Sequence, residues 1–337
     1  MKNQKNLHYK IALIADELTE ACLKHEADVY YITPLNYRFV LQFWKPDFLF
    51  VESSWHGRRK AWKFKIAAYP DHPKRNNKTL QKVVAYAKKL GIPTVFWNKE
   101  DGVHFERFID SAKLFDHIFT VDENYVPKYR EIVGKEVTVN TLMFAVQPQL
   151  HNFTGFHFKH NRANFVGSYS RHIHDRRRAW QEMMFRAASR TGLGVSVHDR
   201  NSSRKSSDYR FPELPHMDVN AAVKYADTAR IYKEYLVSLN VNTIEDSPTM
   251  FSRRLVEILA CGGIAVTNPS PAVERYFKDY CHVVHDEAEM AELFERLKHG
   301  PSDEDLERAR AGAEYVAKEH TWAHRMEEIC SVIGVKR

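Results

Sequence analysis

Apolar residues arrive in short continuous runs, separated by stretches with helical spacing. KIALIA (10–15), VYYITP (29–34), PDFLFVES (46–53), GIPTVFWN (91–98) and FDHIFTVD (115–122) read as five strands. Between them, NKTLQKVVAYAKKL (77–90) holds Leu80, Val83, Val84, Ala87 and Leu90 at helical spacing. Strands that are apolar throughout and alternate with amphipathic helices predict a parallel sheet covered on both faces. The pattern breaks over 149–164, which is polar and has no period, and then resumes. ANFVGS, GVSVHD (194–199), YLVSLNVN (235–242), GIAVTN (263–268) and CHVVHD (281–286) supply a second set of strands. A later helix starts at Ser302, with Asp303 to Asp305 filling its first turn. The expectation is an α/β chain of two tandem doubly wound, Rossmann-like domains, 1–155 and 156–320. A C-terminal helix, 321–337, is expected to pack back on the first domain.

Length agrees with two domains, since 337 residues exceed one core of about 150. The formal charge of +7 suits phosphorylated ligands, an anionic membrane face or nucleic acid. Lys and Arg are interleaved with 43 acids rather than gathered in one stripe, which favours a small anionic ligand over nucleic acid. Cys22, Cys261, Cys281 and Cys330 form no paired cluster, as expected of free thiols in a reduced compartment. The polar start MKNQKNLHYKIALIADEL has too short an apolar core for a signal peptide. No run approaches a membrane span of about 20 residues. A cytoplasmic location is expected, with peripheral contact to the inner face of the membrane left open, as is oligomeric state.

Ligands of open α/β sheets bind at the carboxyl ends of the strands, and two such domains facing each other enclose a cleft there. In the first domain the loops after the strands carry Asp16 and Glu17, then Glu52, then Lys99, Glu100 and Asp101, then Asp122. Carboxylates accept several hydroxyl hydrogen bonds and one can take a proton, which suits a sugar-like acceptor. Acids at strand-to-helix turns also cap helices, so capping is the competing reading. In the second domain Gly167, Ser168 and Ser170 follow a strand, with Arg171, Arg176, Arg177 and Arg178 next. Arg253 and Arg254 open a helix that contains Glu257 and ends in a CGG turn. Arginines beside a helix start suit phosphate. His172 and His174 form an HxH without a third ligand at zinc spacing, so no metal is expected. The first strand is not followed by GxGxxG, which disfavours NAD.

FSRRLVEILACGGIAVT resembles the donor-site helix of group 1 glycosyltransferases of the two-domain GT-B fold. PDFLFVESSWHG, GIPTVFWNKEDGVHFERF, FDHIFTVDENYVPKY, NFVGSYSRHIHDRR and HTWAHRMEEI are similar, in that order, to signatures of the CgeB-like (spore maturation protein-like) subfamily. The resemblance implies a metal-independent glycosyltransferase with no cofactor beyond its nucleotide-sugar donor. Its acceptor would be a glycan or glycoconjugate of a cell surface, capsule or spore coat, bound by the first domain. The second domain would bind the donor. Glu257 would hold the ribose, Arg254, Arg253 or Arg171 the diphosphate, Gly167 and Ser168 would line that site, and Thr249, Met250, Phe251 and Ser252 the donor pocket. Thr249 departs from the family's glutamate eight positions before the ribose residue, and Gly102 stands where the subfamily often has proline. On the acceptor side Glu100 or Asp101 would orient or deprotonate the hydroxyl, with Asp16 and Glu17 as alternatives. A nucleotide-sugar epimerase of the same fold and a non-catalytic nucleotide-sugar or glycan-binding subunit are the competing functions.

Overall fold

The computed structural model describes residues 9–336. The first eight residues, which carry most of the polar start, and residue 337 lie outside them. The chain divides into two units: residues up to Met143 together with Trp322 onward, and Phe144–Thr321.

The first unit holds a six-stranded sheet with every neighbouring pair parallel. Its strands are β1 (Tyr9–Ile14), β2 (Ala27–Tyr31), β3 (Phe48–Glu52), β4 (Thr94–Asn98), β5 (His117–Thr120) and β6 (Thr138–Thr141). They lie in the order β2-β1-β3-β4-β5-β6. All five residues of β3 and of β4 are buried, as in a parallel sheet covered on both faces. The helix Lys78–Lys89 buries Leu80, Val83, Val84 and Ala87, the stripe its spacing predicts. The C-terminal helix Trp322–Ile333 belongs to this unit. Trp322 meets Trp97 edge to face, and buried Arg325 donates to the carbonyl of Met143 at 3.0 Å.

The second unit repeats the plan with β7 (His160–Gly167), β8 (Val195–Asp199), β9 (Met217–Asn220), β10 (Tyr235–Asn240), β11 (Ile264–Thr267) and β12 (His282–Val283). The order is β12-β11-β10-β7-β8-β9, again all parallel. Ser302 caps the helix Asp303–Glu319 in a reciprocal capping box with Asp305.

The unit boundary falls at Met143/Phe144 rather than at 155/156. Residues just past 143 are tied into the second unit: Val146 N donates to the His320 carbonyl, and buried His151 bonds Thr228 Oγ1 at 2.8 Å. Phe153, Phe156 and Phe158 then stack in series along the chain. The polar composition of 149–164 hid these anchors. β7 likewise starts earlier than ANFVGS, at His160. β6 and β9 were not expected. Both are short, β6 buries one residue of four and β9 none, and each lies at a sheet edge.

In each sheet the winding direction reverses once. The reversal separates β1 from β3 in the first unit and β7 from β10 in the second. Such switch points leave a crevice at the carboxyl ends of the two strands.

Candidate functional site

At the first switch point Asp16 follows β1, Glu52 ends β3 and Lys99 follows β4. The register pairs Ile14 with Val51 and Glu52 with Trp97, which brings the three side chains to one spot. Lys99 Nζ lies 3.0 Å from Asp16 Oδ2 and 2.5 Å from Glu52 Oε1. Ser54 donates to the other oxygen of Asp16, and Thr19 to the other oxygen of Glu52. Glu52 is wholly buried, whereas the Asp16 side chain is 38% exposed, so Asp16 is the member of the cluster that reaches solvent. Burial opposes the Asp16 charge, but the Lys99 ammonium and the Ser54 hydroxyl outweigh it and hold the carboxyl below its usual range. Glu52 goes the other way: burial raises its pKa, and the Asp16 charge adds to the rise against the pull of Lys99. The cluster thus presents one ionised carboxylate braced by a lysine shared with a buried partner.

The other acceptor-side residues divide. Glu17 is exposed in the first turn of the helix Glu17–Leu23, and Glu100 is half-buried. Asp101, expected to face an acceptor, instead has no exposed surface. Its Oδ1 accepts from Asn98 Nδ2 at 2.6 Å and from the Tyr129 hydroxyl at 3.0 Å. Burial pushes its pKa up to about 8, with Asp122 adding to the rise against hydrogen bonds from Thr120 and Tyr129. Asp101 is therefore a mostly protonated internal brace at neutral pH, and in this position it meets no acceptor hydroxyl.

A pH signature follows. The folded chain holds this proton more tightly than the unfolded chain, so the stabilisation is complete below about pH 4 and is lost as pH rises towards 8. Urea unfolding from about pH 5 to pH 9 should show wild type losing about 4 kcal/mol more than Asp101→Asn, because the amide keeps the hydrogen bonds without titrating. Parallel profiles for the two proteins would refute the assignment.

At the second switch point β7 ends in Gly167, where Arg254, Arg177 and Arg200 converge. Arg254 Nε donates to the Val166 carbonyl at 2.6 Å, and its guanidinium lies 4.6 Å from the Phe165 ring centroid. Arg177 donates to the Ser168 carbonyl at 3.1 Å, and Arg200 to the Ser168 hydroxyl at 3.2 Å. A Cβ on Gly167 would stand 2.7 Å from Arg254 Nη2, so glycine is what lets the guanidinium close on the strand. Arg254 Nη1 is buried and has no hydrogen-bond partner. Burial, then the charges of Arg254 and Arg200, push the Arg177 pKa down to about 9, which leaves it charged at neutral pH. Like charges gathered so closely call for an anion between them.

Glu257 is buried one turn further along the helix Arg253–Ala260, with Oε1 3.1 Å from Arg253 Nε. Glu257 Oε1 makes this ion pair without a hydrogen bond, which leaves acceptor capacity on the buried carboxylate. Ser252, half-buried, precedes this helix and its amide donates to Asn242 Oδ1. Thr249 is buried and Met250 half-buried, and both their amides donate to Ser247 Oγ.

Two donor-side expectations change. Phe251 packs edge to face on Phe277 with ring centroids 4.8 Å apart and is a core residue, because its ring completes an aromatic cluster with Phe144 and His320. Arg171 is exposed and lines a separate cavity of about 430 Å³ with Tyr169, Arg178 and Arg186, since the loop after Ser170 carries it outward. Sequence reasoning left Lys99 without a role, did not single out Arg177 within its arginine run, and passed over Arg200 in a basic loop. Lys99 directly after β4, Arg177 in the first turn of the helix Asp175–Arg190 that follows β7, and Arg200 directly after β8 held the available signal. Among the described residues no group of three or more His, Cys, Asp or Glu side chains is arranged to hold a metal.

A Glycosyl transferase-like family model matches residues 171–331. No curated protein matches the sequence. Among solved structures, an alpha-glucosyltransferase in complex with UDP and a 13-mer DNA superposes with a TM-score of 0.65 at 12% identity, over 97% of this chain and 100% of that one. Anabaena Alr3699/HepE in complex with UDP and glucose gives 0.58 at 10% identity, over 98% and 100%. A DNA-modifying beta-glucosyltransferase gives 0.59 at 13%, over 97% and 100%. The fold is GT-B, two Rossmann-like domains as expected from the sequence. The matched segment is similar to a Glycosyl transferase-like family and lies within the second unit and the C-terminal helix, while the superposed structures give the fold.

Proposed function

We infer that the chain moves a sugar from a nucleoside-diphosphate donor, held by the second unit, to a hydroxyl acceptor served by the first. The observation that carries this reading is the arginine cluster at the end of β7, with the buried, unpartnered Arg254 Nη1 at its centre. Glycosyl transfer builds negative charge on the departing diphosphate while the anomeric carbon becomes cationic. Fixed guanidinium groups in a buried setting stabilise that charge without reorganising. In this reading the arginines do the work a divalent cation does elsewhere, and activity in excess EDTA should equal that in its absence. Glu257 is suited to accept from a ribose diol, because its carboxylate is buried and incompletely hydrogen-bonded.

On the acceptor side the braced carboxylate of Asp16 is the group assigned to orient or deprotonate the incoming hydroxyl, with Glu100 as the alternative. The solvent-reaching Asp16 carboxylate suits the hydroxyls of a polyhydroxylic glycan, which is the proposed acceptor in place of nucleic acid. The CgeB-like signatures point to a cell-surface, capsule or spore-coat glycan. The four cysteines are free, which suits a reducing cytoplasm.

Thermal unfolding with UDP-, GDP-, CDP- and ADP-linked sugars tests the donor reading. The matching nucleotide should stabilise the chain by about 2.7 kcal/mol at a hundredfold excess over its Kd. A panel in which no nucleotide raises the Tm would sink the proposal. Donor turned over to a sugar isomer in the absence of any acceptor would select the epimerase instead. Tight donor binding without turnover on any acceptor would select a binding subunit, the reading kept in view by Thr249.

A further inference from the structure

One face of the first unit, built on the segment between β2 and β3, is unlike a solvated surface. Segment 33–46 makes a short helical turn, Tyr37–Phe39, that runs into a π-helix, Val40–Trp44. Val40 and Leu41 are buried in the core and fix the segment in place. On its outer side stand Leu35, Phe39 and Phe43, exposed by 95%, 59% and 68%. Phe39 and Phe43, four residues apart, share one face of this helical segment with their rings 5.5 Å apart, and Leu35 stands in the turn just before it. Isolated exposed apolar side chains need no explanation, but three large ones on one short segment, rimmed by charge, mark an interaction surface.

The segment that carries them, and the helix packed against it, hold charge of one sign. Residues 29–46 contain no Asp or Glu, and carry Arg38 and Lys45, both exposed. The helix Lys78–Lys89 packs against this segment through Tyr86, whose hydroxyl donates to Gln42 at 2.7 Å and whose ring meets Tyr37 edge to face. Residues 72–99 also contain no acid. Lys82 and Lys89 are exposed about one turn before and after Tyr86, on its side of the helix. Lys88, by contrast, is bound to Asp116 at 2.8 Å.

We propose that this face is a docking surface for an anionic phospholipid bilayer, with Leu35, Phe39 and Phe43 entering the interface and Arg38, Lys45, Lys82 and Lys89 meeting lipid headgroups. Apolar residues on one side of a short helical segment, flanked by cations with flexible apolar stems, are what interfacial binding requires. A second copy of the chain in a two-fold contact would set this cationic rim against itself. Leu35, the most exposed of the three, offers no ring on which a nucleic-acid base can stack. The proposal uses none of the residues assigned to donor or acceptor and stands or falls apart from them.

Vesicle co-sedimentation of the full chain tests it. The protein should bind phosphatidylcholine vesicles containing phosphatidylglycerol, ignore phosphatidylcholine alone, and release as salt is raised. Phe39→Ser/Phe43→Ser should weaken binding by about tenfold or more, since transfer of two phenyl groups is lost. Lys82→Glu/Lys89→Glu should do the same through charge alone. Both variants should keep the far-UV circular dichroism and, in the absence of ligand, the cooperative thermal unfolding of wild type, which shows them folded. Wild type that ignores anionic vesicles, or either pair of substitutions leaving vesicle binding intact, overturns the proposal. So does a wild-type dimer in analytical ultracentrifugation that Phe39→Ser/Phe43→Ser dissolves, or full displacement from vesicles by single-stranded DNA.

Discussion

Arg254→Ala should lower affinity for the donor nucleotide by about 30-fold to several thousandfold, the equivalent of about 2–5 kcal/mol for truncating one partner of a buried charge contact. The size of the effect rests on where the guanidinium sits. It is held between the Val166 carbonyl and the Phe165 ring, and a buried nitrogen remains unsatisfied until an anion arrives. Binding therefore supplies both a charge partner and the missing acceptor. The free protein should respond far less. Alanine loses the bond to Val166, but it also relieves the crowding of Arg254 against Arg177 and Arg200, so the unliganded Tm should move little. Arg254→Lys should fall between the two, because it keeps the charge and gives up the planar fork. Calorimetric titration with the matching nucleoside diphosphate, alongside thermal unfolding of the free proteins, measures both. A Kd for Arg254→Ala within about threefold of wild type would remove Arg254 from the donor site.

Lys99→Met should destabilise the chain by about 3–5 kcal/mol, the usual range for leaving one member of a buried ion pair uncompensated. Glu52 has no exposure at all, and in the variant it would face Asp16 with no cation between them. Relief comes only by protonation. Burial and Asp16 already raise the Glu52 pKa, and losing the opposing lysine raises it further. A carboxyl whose folded pKa lies above its unfolded one stabilises below the unfolded value and loses that stability as pH rises. The penalty of Lys99→Met should thus grow from acidic to alkaline pH. Adding Glu52→Gln should recover most of it, which separates a charge effect from a packing effect. In transferase assays, Lys99→Met should also shift the acidic limb of the kcat profile to higher pH, since Lys99 helps hold Asp16 ionised. Urea denaturation of the single and double variants at two pH values decides the matter. A loss under about 1 kcal/mol, or no rescue by glutamine, would mean the cluster carries little strain.

Both predictions concern residues that sequence reading reached only partly. It located Asp16, Glu52 and Lys99 after their strands but could not join them. Strand order β2-β1-β3-β4 makes β1, β3 and β4 neighbours, and that adjacency is absent from the chain order of the loops. The run Arg176, Arg177, Arg178 shows the same gap: Arg177 turns to the Ser168 carbonyl, while Arg176 pairs with Glu245 at the surface. Asp101 is the opposite case, a loop residue by composition that Asn98 and Tyr129 draw inside.

Periodicity alone determined that this chain forms two parallel, doubly wound sheets, because a strand covered on both faces must be apolar throughout and a covering helix must carry a stripe. The sequence also determined which loops deserve attention, since those sheets bind ligands at their carboxyl ends. Tertiary structure decided which side chains from separate loops meet, which carboxylate stays ionised and which holds its proton. Those outcomes depend on distances and burial set by strand order and packing, and such quantities have no local signature in the chain.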